Sequence, residues 1–154
     1  ILWLVHADAL FSSKAGIYQA YISNDMASWK QIVDKMEQNK MTSSSYLLEL
    51  INYQYGYTVW CLGNNKEEEA KEYLHLAEKN IRILEKKGRH ASMVNSYKSA
   101  FYGFKIGFNL FKAPFYGPKS VAHAEEAIAL NNKNPFGYIQ LANGWYFKPG
   151  MLGE

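Results

Sequence analysis

The stretch Asn65-Lys-Glu-Glu-Glu-Ala70-Lys-Glu-Tyr-Leu74-His-Leu-Ala77-Glu-Lys-Asn-Ile81-Arg-Ile-Leu84-Glu-Lys-Lys87-Gly88 decides the fold class. Ala70, Tyr73, Leu74, Ala77, Ile81 and Leu84 recur at three-and-four spacing, which puts them on one face of an α-helix, while the other face is Lys and Glu. Asn65 can cap this helix by accepting from the free N–H groups of its first turn, and Glu67, Glu68 and Glu69 suit its positive end. Lys86 and Lys87 suit the negative end, where Gly88 can take the left-handed conformation that closes a helix. Immediately before it, Tyr46 to Leu62 reads as a long apolar helix ending at Gly63, so the two together predict a helical hairpin.

The segments on either side follow the same period. Upstream, Ser12 to Ile22 is expected to be helical with Ala15, Tyr18 and Ile22 on its apolar side, and Ser23-Asn24-Asp25 supplies a break and a new cap. Met26 to Gln38 is expected to bury Met26, Trp29, Ile32, Val33 and Met36 and to expose Lys30, Asp34, Lys35 and Glu37. Gly56, inside the Tyr46 helix, costs about 1 kcal/mol against Ala and so marks close approach by a neighbour. Downstream, Ser92 to Phe111 is expected to be an aromatic helix with Gly103 and Gly107 touching another backbone. Lys112 to Pro118 reads as a loop, with Pro118 opening a helix from Lys119 to Leu130. Asn134-Pro135 starts the last helix, which runs to about Phe147 before Pro149 and Gly150.

No segment alternates as a strand would, so the class is all-α with about eight helices. At 154 residues, 48% hydrophobic and 20% charged, the chain is expected to form a single all-α domain over 1–154 rather than a disordered one. N-terminal helices occupy 1–45 and hairpins 46–154. The net charge of +3 is mild, which gives no electrostatic footprint for nucleic acid. No apolar run is long enough to span a bilayer. Ile1 to Val5 followed by Ala7-Asp8-Ala9 fits the end of a secretory signal, and an exported protein of a bacterial envelope is the corresponding expectation; the other reading is that Leu2 to Phe11 opens the first helix.

Several kinds of chemistry lack their residues. The single Cys61 has no disulfide partner and no basic neighbour in its apolar stretch to activate it. His123 and Glu126, or His6 and Asp8, fall short of the three or four ligands a metal needs, so no metal and no cofactor is expected. A Gly-rich phosphate loop, a Gly-x-Ser-x-Gly elbow and a His-Glu-x-x-His helix are all absent, and no catalytic residue is nominated.

Gly56, Gly107 and Ala142 are each followed seven residues later by a breaker, Gly63, Pro114 and Pro149, and preceded by Tyr55, Ile106 and Leu141. With Ala127-Ile-Ala-Leu130-Asn-Asn-Lys-Asn-Pro135-Phe-Gly-Tyr138-Ile-Gln-Leu141-Ala142-Asn-Gly-Trp145, and Ala70, Leu74 and Ala77 as second-helix positions, the chain from Tyr46 onward resembles the tetratricopeptide repeat family. The turn before Ala70 is longer than the family's, the spacing from Gly56 to Gly107 exceeds its period, and the third unit ends at Glu154 where its second helix would begin. The resemblance implies antiparallel hairpins stacked as an α-solenoid, the last one incomplete. It also implies either a longer natural chain or self-association that covers the helix from Tyr138 to Phe147.

On that analogy Tyr53, Tyr57, Trp60, Phe104, Phe108, Gln140 and Asn143 line a concave face. Rings and amides together suit a protein or peptide partner, which makes a non-catalytic scaffold the leading expectation. The 16% aromatic content, with 12 Tyr, 8 Phe and 4 Trp, is explained by ring packing in the core ahead of a ring-lined groove, and exposed rings would alternatively serve a glycan-binding accessory protein.

Overall fold

The structure, a computed structural model, describes residues 13–146. Among these residues there are seven α-helices and no strand: α1 (13–22), α2 (Met26–Gln38), α3 (Ser44–Gly63), α4 (Glu67–Lys86), α5 (Ala91–Phe108), α6 (Ala113–Leu130) and α7 (Pro135–Tyr146), with a 3-10 turn at Leu110–Lys112. The signal reading of Ile1 to Ala9, the helix opening at Leu2, His6, Asp8, Pro149 and Gly150 lie outside the described residues. Contacts divide the chain into two compact units, 1–83 and 84–154, the division falling inside α4.

In the first unit α3 is the central helix. It buries Tyr46, Leu47, Leu50, Ile51, Tyr53, Gln54, Tyr57, Thr58 and Cys61, a face too wide for one neighbour. Toward α2, the Trp29 indole N–H donates to the Tyr53 carbonyl at 3.1 Å and the Tyr46 hydroxyl donates to the Met36 carbonyl at 2.9 Å. Toward α4, the Tyr57 hydroxyl donates to Glu69 Oε1 at 3.0 Å, and the Tyr57 and Tyr73 rings lie 4.7 Å apart. The α4 stripe from Ala70 to Leu84 is buried as its period requires, and Gly88 is left-handed at φ +63°.

The polar side of α2 does not simply face water, as its sequence pattern suggests. Asp34 accepts from the Tyr73 hydroxyl, and Glu37 accepts from Gln54, Lys79 and Asn80. A helix packed against two neighbours buries more than its apolar stripe, so its inner polar groups are matched by polar partners instead.

The second unit is built from small residues. Ser96 and Ser99 of α5 face Ser120, Ala124 and Ala127 of α6, all buried. Ser120 Oγ donates to the Ser99 carbonyl at 2.8 Å, and Ser92 Oγ donates to the Ala127 carbonyl at 2.7 Å. On α7 a Cβ at Gly137 would stand 3.1 Å from Ile128, and one at Gly144 would stand 3.0 Å from Val121. Close nesting of helices is therefore real here, but Gly137 and Gly144 carry it. Gly103 and Gly107 meet nothing within 4 Å, and Ala142 is exposed.

Four boundaries or faces differ from the sequence reading. Asn65 does not cap α4; it is the left-handed residue (φ 57°) closing α3, with the Lys66 N–H reaching back to the Cys61 carbonyl at 2.9 Å. The α5 helix stops at Phe108 because Asn109 turns extended and its side chain starts the 3-10 turn. That turn feeds α6 at once, so Pro114 takes the first-turn position and Pro118 lies inside the helix, where only the Pro114 carbonyl loses its partner. On α1 the inward residues are Gly16, Ile17 and Ala20, while Tyr18 and Ile22 are exposed.

The glycines make a signed prediction. Gly103→Ala should stabilise by about 1 kcal/mol, the helix-propensity difference with no clash. Gly56→Ala should destabilise by about 1 kcal/mol, because its Cβ would stand 2.9 Å from Trp29 Cζ2 and overpacking outweighs propensity. Urea titration of the two variants giving shifts of the same sign would contradict this.

Candidate functional site

Gly16 lets α1 lie close to α2, since a Cβ there would stand 2.8 Å from Ile32 Cδ1. The same lack of bulk at Gly56 admits the Trp29 ring against α3. Between them is an open, mostly apolar cleft of about 390 Å³, lined chiefly by Ile17, Tyr18, Tyr21, Trp29, Asn52 and Tyr53. That volume falls within the roughly 300–1,000 Å³ common to ligand pockets. Lys14 also lines it and pairs with Glu49 at 2.7 Å.

The rings in the cleft meet edge to face. Tyr21 and Trp29 are 6.4 Å apart at 62°, and Trp29 and Tyr53 are 6.3 Å apart at 86°. Trp29 is held by its bond to the Tyr53 carbonyl, so the floor is fixed. Tyr18 and Tyr21 stand about two-thirds exposed at the lip. Burial and the neighbouring Glu49 carboxylate raise the Tyr53 phenol, which stays protonated at neutral pH.

Of the residues nominated from the sequence, only Tyr53 lines this cleft. Tyr57 is buried between α3 and α4, its phenol also raised by burial and by Glu69. Trp60 stacks on Tyr57 at 5.5 Å, with Lys66 Nζ 4.9 Å above its ring. Phe104 and Phe108 belong to the second unit and are half-buried, Phe104 against Phe101. Asn143 is exposed on α7. Lys14, Tyr18, Tyr21, Trp29 and Asn52 were missed, although Gly16 and Ala20, one turn apart, carry the same small-residue signal that singled out Gly56.

Gln140 is buried and its Nε2 has no hydrogen-bond partner. Gln140→Leu should therefore stabilise the protein by about 1 kcal/mol, read as a rise in urea midpoint at constant slope.

Cys61 and His123 do not line this cleft. Cys61 is fully buried and its thiol is pushed up to about 11, chiefly by burial, so it is protonated at neutral pH. His123 lies parallel to Tyr102, its Nδ1 2.8 Å from Asn95 Oδ1, and burial and Lys98 lower its pKa. Among the described residues no three His, Cys, Asp or Glu side chains converge to hold a metal, and no helix is long and apolar enough to cross a membrane. No protein-family model matches the chain, and no curated protein or solved structure is significantly similar to it.

Proposed function

We propose that this chain is a non-catalytic, tetratricopeptide-repeat-like module whose aromatic cleft in residues 1–83 receives an apolar segment of a protein or peptide partner. The observation that carries the reading is the edge-on setting of Tyr21, Trp29 and Tyr53. Rings so arranged wall a slot for an inserted side chain, with the Asn52 amide in its lining, and do not present the flat, coplanar platform on which a sugar stacks. A glycan-binding accessory role is the second reading, favoured by the exposure of Tyr18 and Tyr21 at the lip.

Panning a displayed random-peptide library against the intact chain, alongside an oligosaccharide array, separates the two. Selected peptides should carry an apolar or aromatic anchor and lose about tenfold in affinity to a Tyr21→Ala variant, as loss of an interfacial tyrosine commonly costs. Oligosaccharide binding without peptide enrichment would replace this reading with the glycan one.

The reading also has the outer face of α7, where Tyr138, Ile139 and Tyr146 are exposed, covered by a second copy of the chain. Light scattering over a concentration series should show a dimer that Ile139→Lys abolishes; a strict monomer throughout would overturn this part.

A further inference from the structure

We propose that the connection between α5 and α6 is a docking tip for the surface of an anionic lipid bilayer. Phe111 is 92% exposed, Leu110 74% and Phe115 71%, three large apolar side chains in a run of six residues. Scattered apolar exposure is ordinary, but a contiguous group at a turn marks a contact surface.

The turn fixes Leu110 and Phe111, and Phe115 follows in the first turn of α6. Asn109 Oδ1 accepts from the Phe111 N–H at 3.0 Å, and the Lys112 N–H returns to the Asn109 carbonyl at 3.0 Å. Phe111 is thus presented by a closed 3-10 turn with little ordering left to do on contact.

Behind the apolar tip lies a cationic layer. The rings of Tyr102 and Tyr116 are 5.4 Å apart, and Lys105 lies 5.5 and 5.9 Å from them. Lys112 sits 5.8 Å from Tyr116, and Lys119 sits 5.9 Å from Tyr102. The sequence holds no Asp or Glu between Glu85 and Glu125, whereas Lys98, Lys105, Lys112 and Lys119 recur along it. The overall charge of +3 conceals this asymmetry.

Apolar side chains foremost, with amphipathic tyrosines and lysines behind them, match the layers of a bilayer surface with anionic headgroups. The positive charge selects against a basic partner. Leu110 has no ring on which a base could stack, and its aliphatic bulk between the rings and lysines suits acyl chains better than a phosphate backbone. This surface is independent of the peptide cleft, and its variants leave that cleft untouched.

Co-sedimentation of the intact chain with vesicles tests the proposal. Vesicles of equal parts phosphatidylcholine and phosphatidylserine should bind it, vesicles of phosphatidylcholine alone should bind weakly, and added salt should reduce the bound fraction. Phe111→Ser should lower partitioning about tenfold, the double variant Lys112→Gln, Lys119→Gln about twentyfold, and the exposed α2 control Lys35→Gln not at all. All four substituted positions are exposed, and circular dichroism should show the fold unchanged in each variant. Equal binding to both vesicle types, an unchanged Phe111→Ser variant, or tighter binding to a single-stranded oligonucleotide than to anionic vesicles would each overturn the proposal.

Discussion

Glu37→Ala is expected to cost about 3 kcal/mol of folding stability, a large effect for one partly buried carboxylate. Glu37 Oε2 accepts from Gln54 Nε2 at 3.0 Å and from Asn80 Nδ2 at 2.8 Å, and Oε1 accepts from Lys79 at 3.2 Å. Gln54 is fully buried and Asn80 only 3% exposed, so neither amide can turn to water once the carboxylate is gone. Asn80 keeps its 3.2 Å bond to Gln54 Oε1, but Gln54 Nε2 is left with nothing. Each charge-assisted bond is worth about 1.5–3 kcal/mol, and partial relaxation brings the total down to the figure expected. Glu37→Gln keeps one acceptor oxygen and should lose about 1 kcal/mol, whereas Lys79→Ala removes an exposed ion pair and should stay within about 0.5 kcal/mol. Urea unfolding of the three variants at unchanged slope checks the order. A loss under about 1 kcal/mol for Glu37→Ala would mean that the three helices are not joined through this carboxylate. The same bonds seat α2, and with it Trp29 on the cleft floor, so Glu37→Ala should also weaken peptides selected on the intact chain.

How much was legible follows from which signals are local. Asp25 caps α2 by accepting from the Ser28 N–H and Gly88 closes α4 in the left-handed region, whereas α3 begins at Ser44, two residues before the expected Tyr46, with Ser43 as its cap. Each device needs only residues within four positions, and the sequence supplies them in order. Pro118 misled because proline favours the first turn of a helix, yet Pro114 already occupied that place and the helix absorbed the second ring. On α1 the apolar period pointed at Tyr18 and Ile22, but what turns that helix inward is the absence of bulk at Gly16 against Ile32. Glu37 read as a solvent-facing charge because its partners Gln54 and Asn80 come from two other helices. The cleft was legible only in part: Gly16, Ala20 and Gly56 mark close approaches within α1 and α3, but which rings those approaches bring together depends on how α1, α2 and α3 pair, and that pairing leaves no trace in any one of them.

Asn134→Ala is expected to cost about 3 kcal/mol as well, in the second unit, by combining a lost cap with a broken buried network. Asn134 Oδ1 accepts from the Phe136 N–H at 3.1 Å, which starts α7. Its Nδ2 donates to Ser92 Oγ at 2.8 Å and to Ser96 Oγ at 3.0 Å, and Ser92 Oγ passes the chain on to the Ala127 carbonyl. One side chain therefore ties α7 to α5 and, through a serine, to α6. The cap contributes about 1 kcal/mol and each neutral buried bond about as much. Asn134→Ser can restore the cap but is too short to reach the α5 serines, so it should recover only about 1 kcal/mol of the loss. Tyr97 and Phe136 lie 5.0 Å apart across the same junction, so near-ultraviolet dichroism should report its loosening. A Ser variant as stable as the original would show that capping alone sets the α7 start. An Ala variant within about 1 kcal/mol would show that α7 is held by its glycine contacts at Gly137 and Gly144 rather than by this amide.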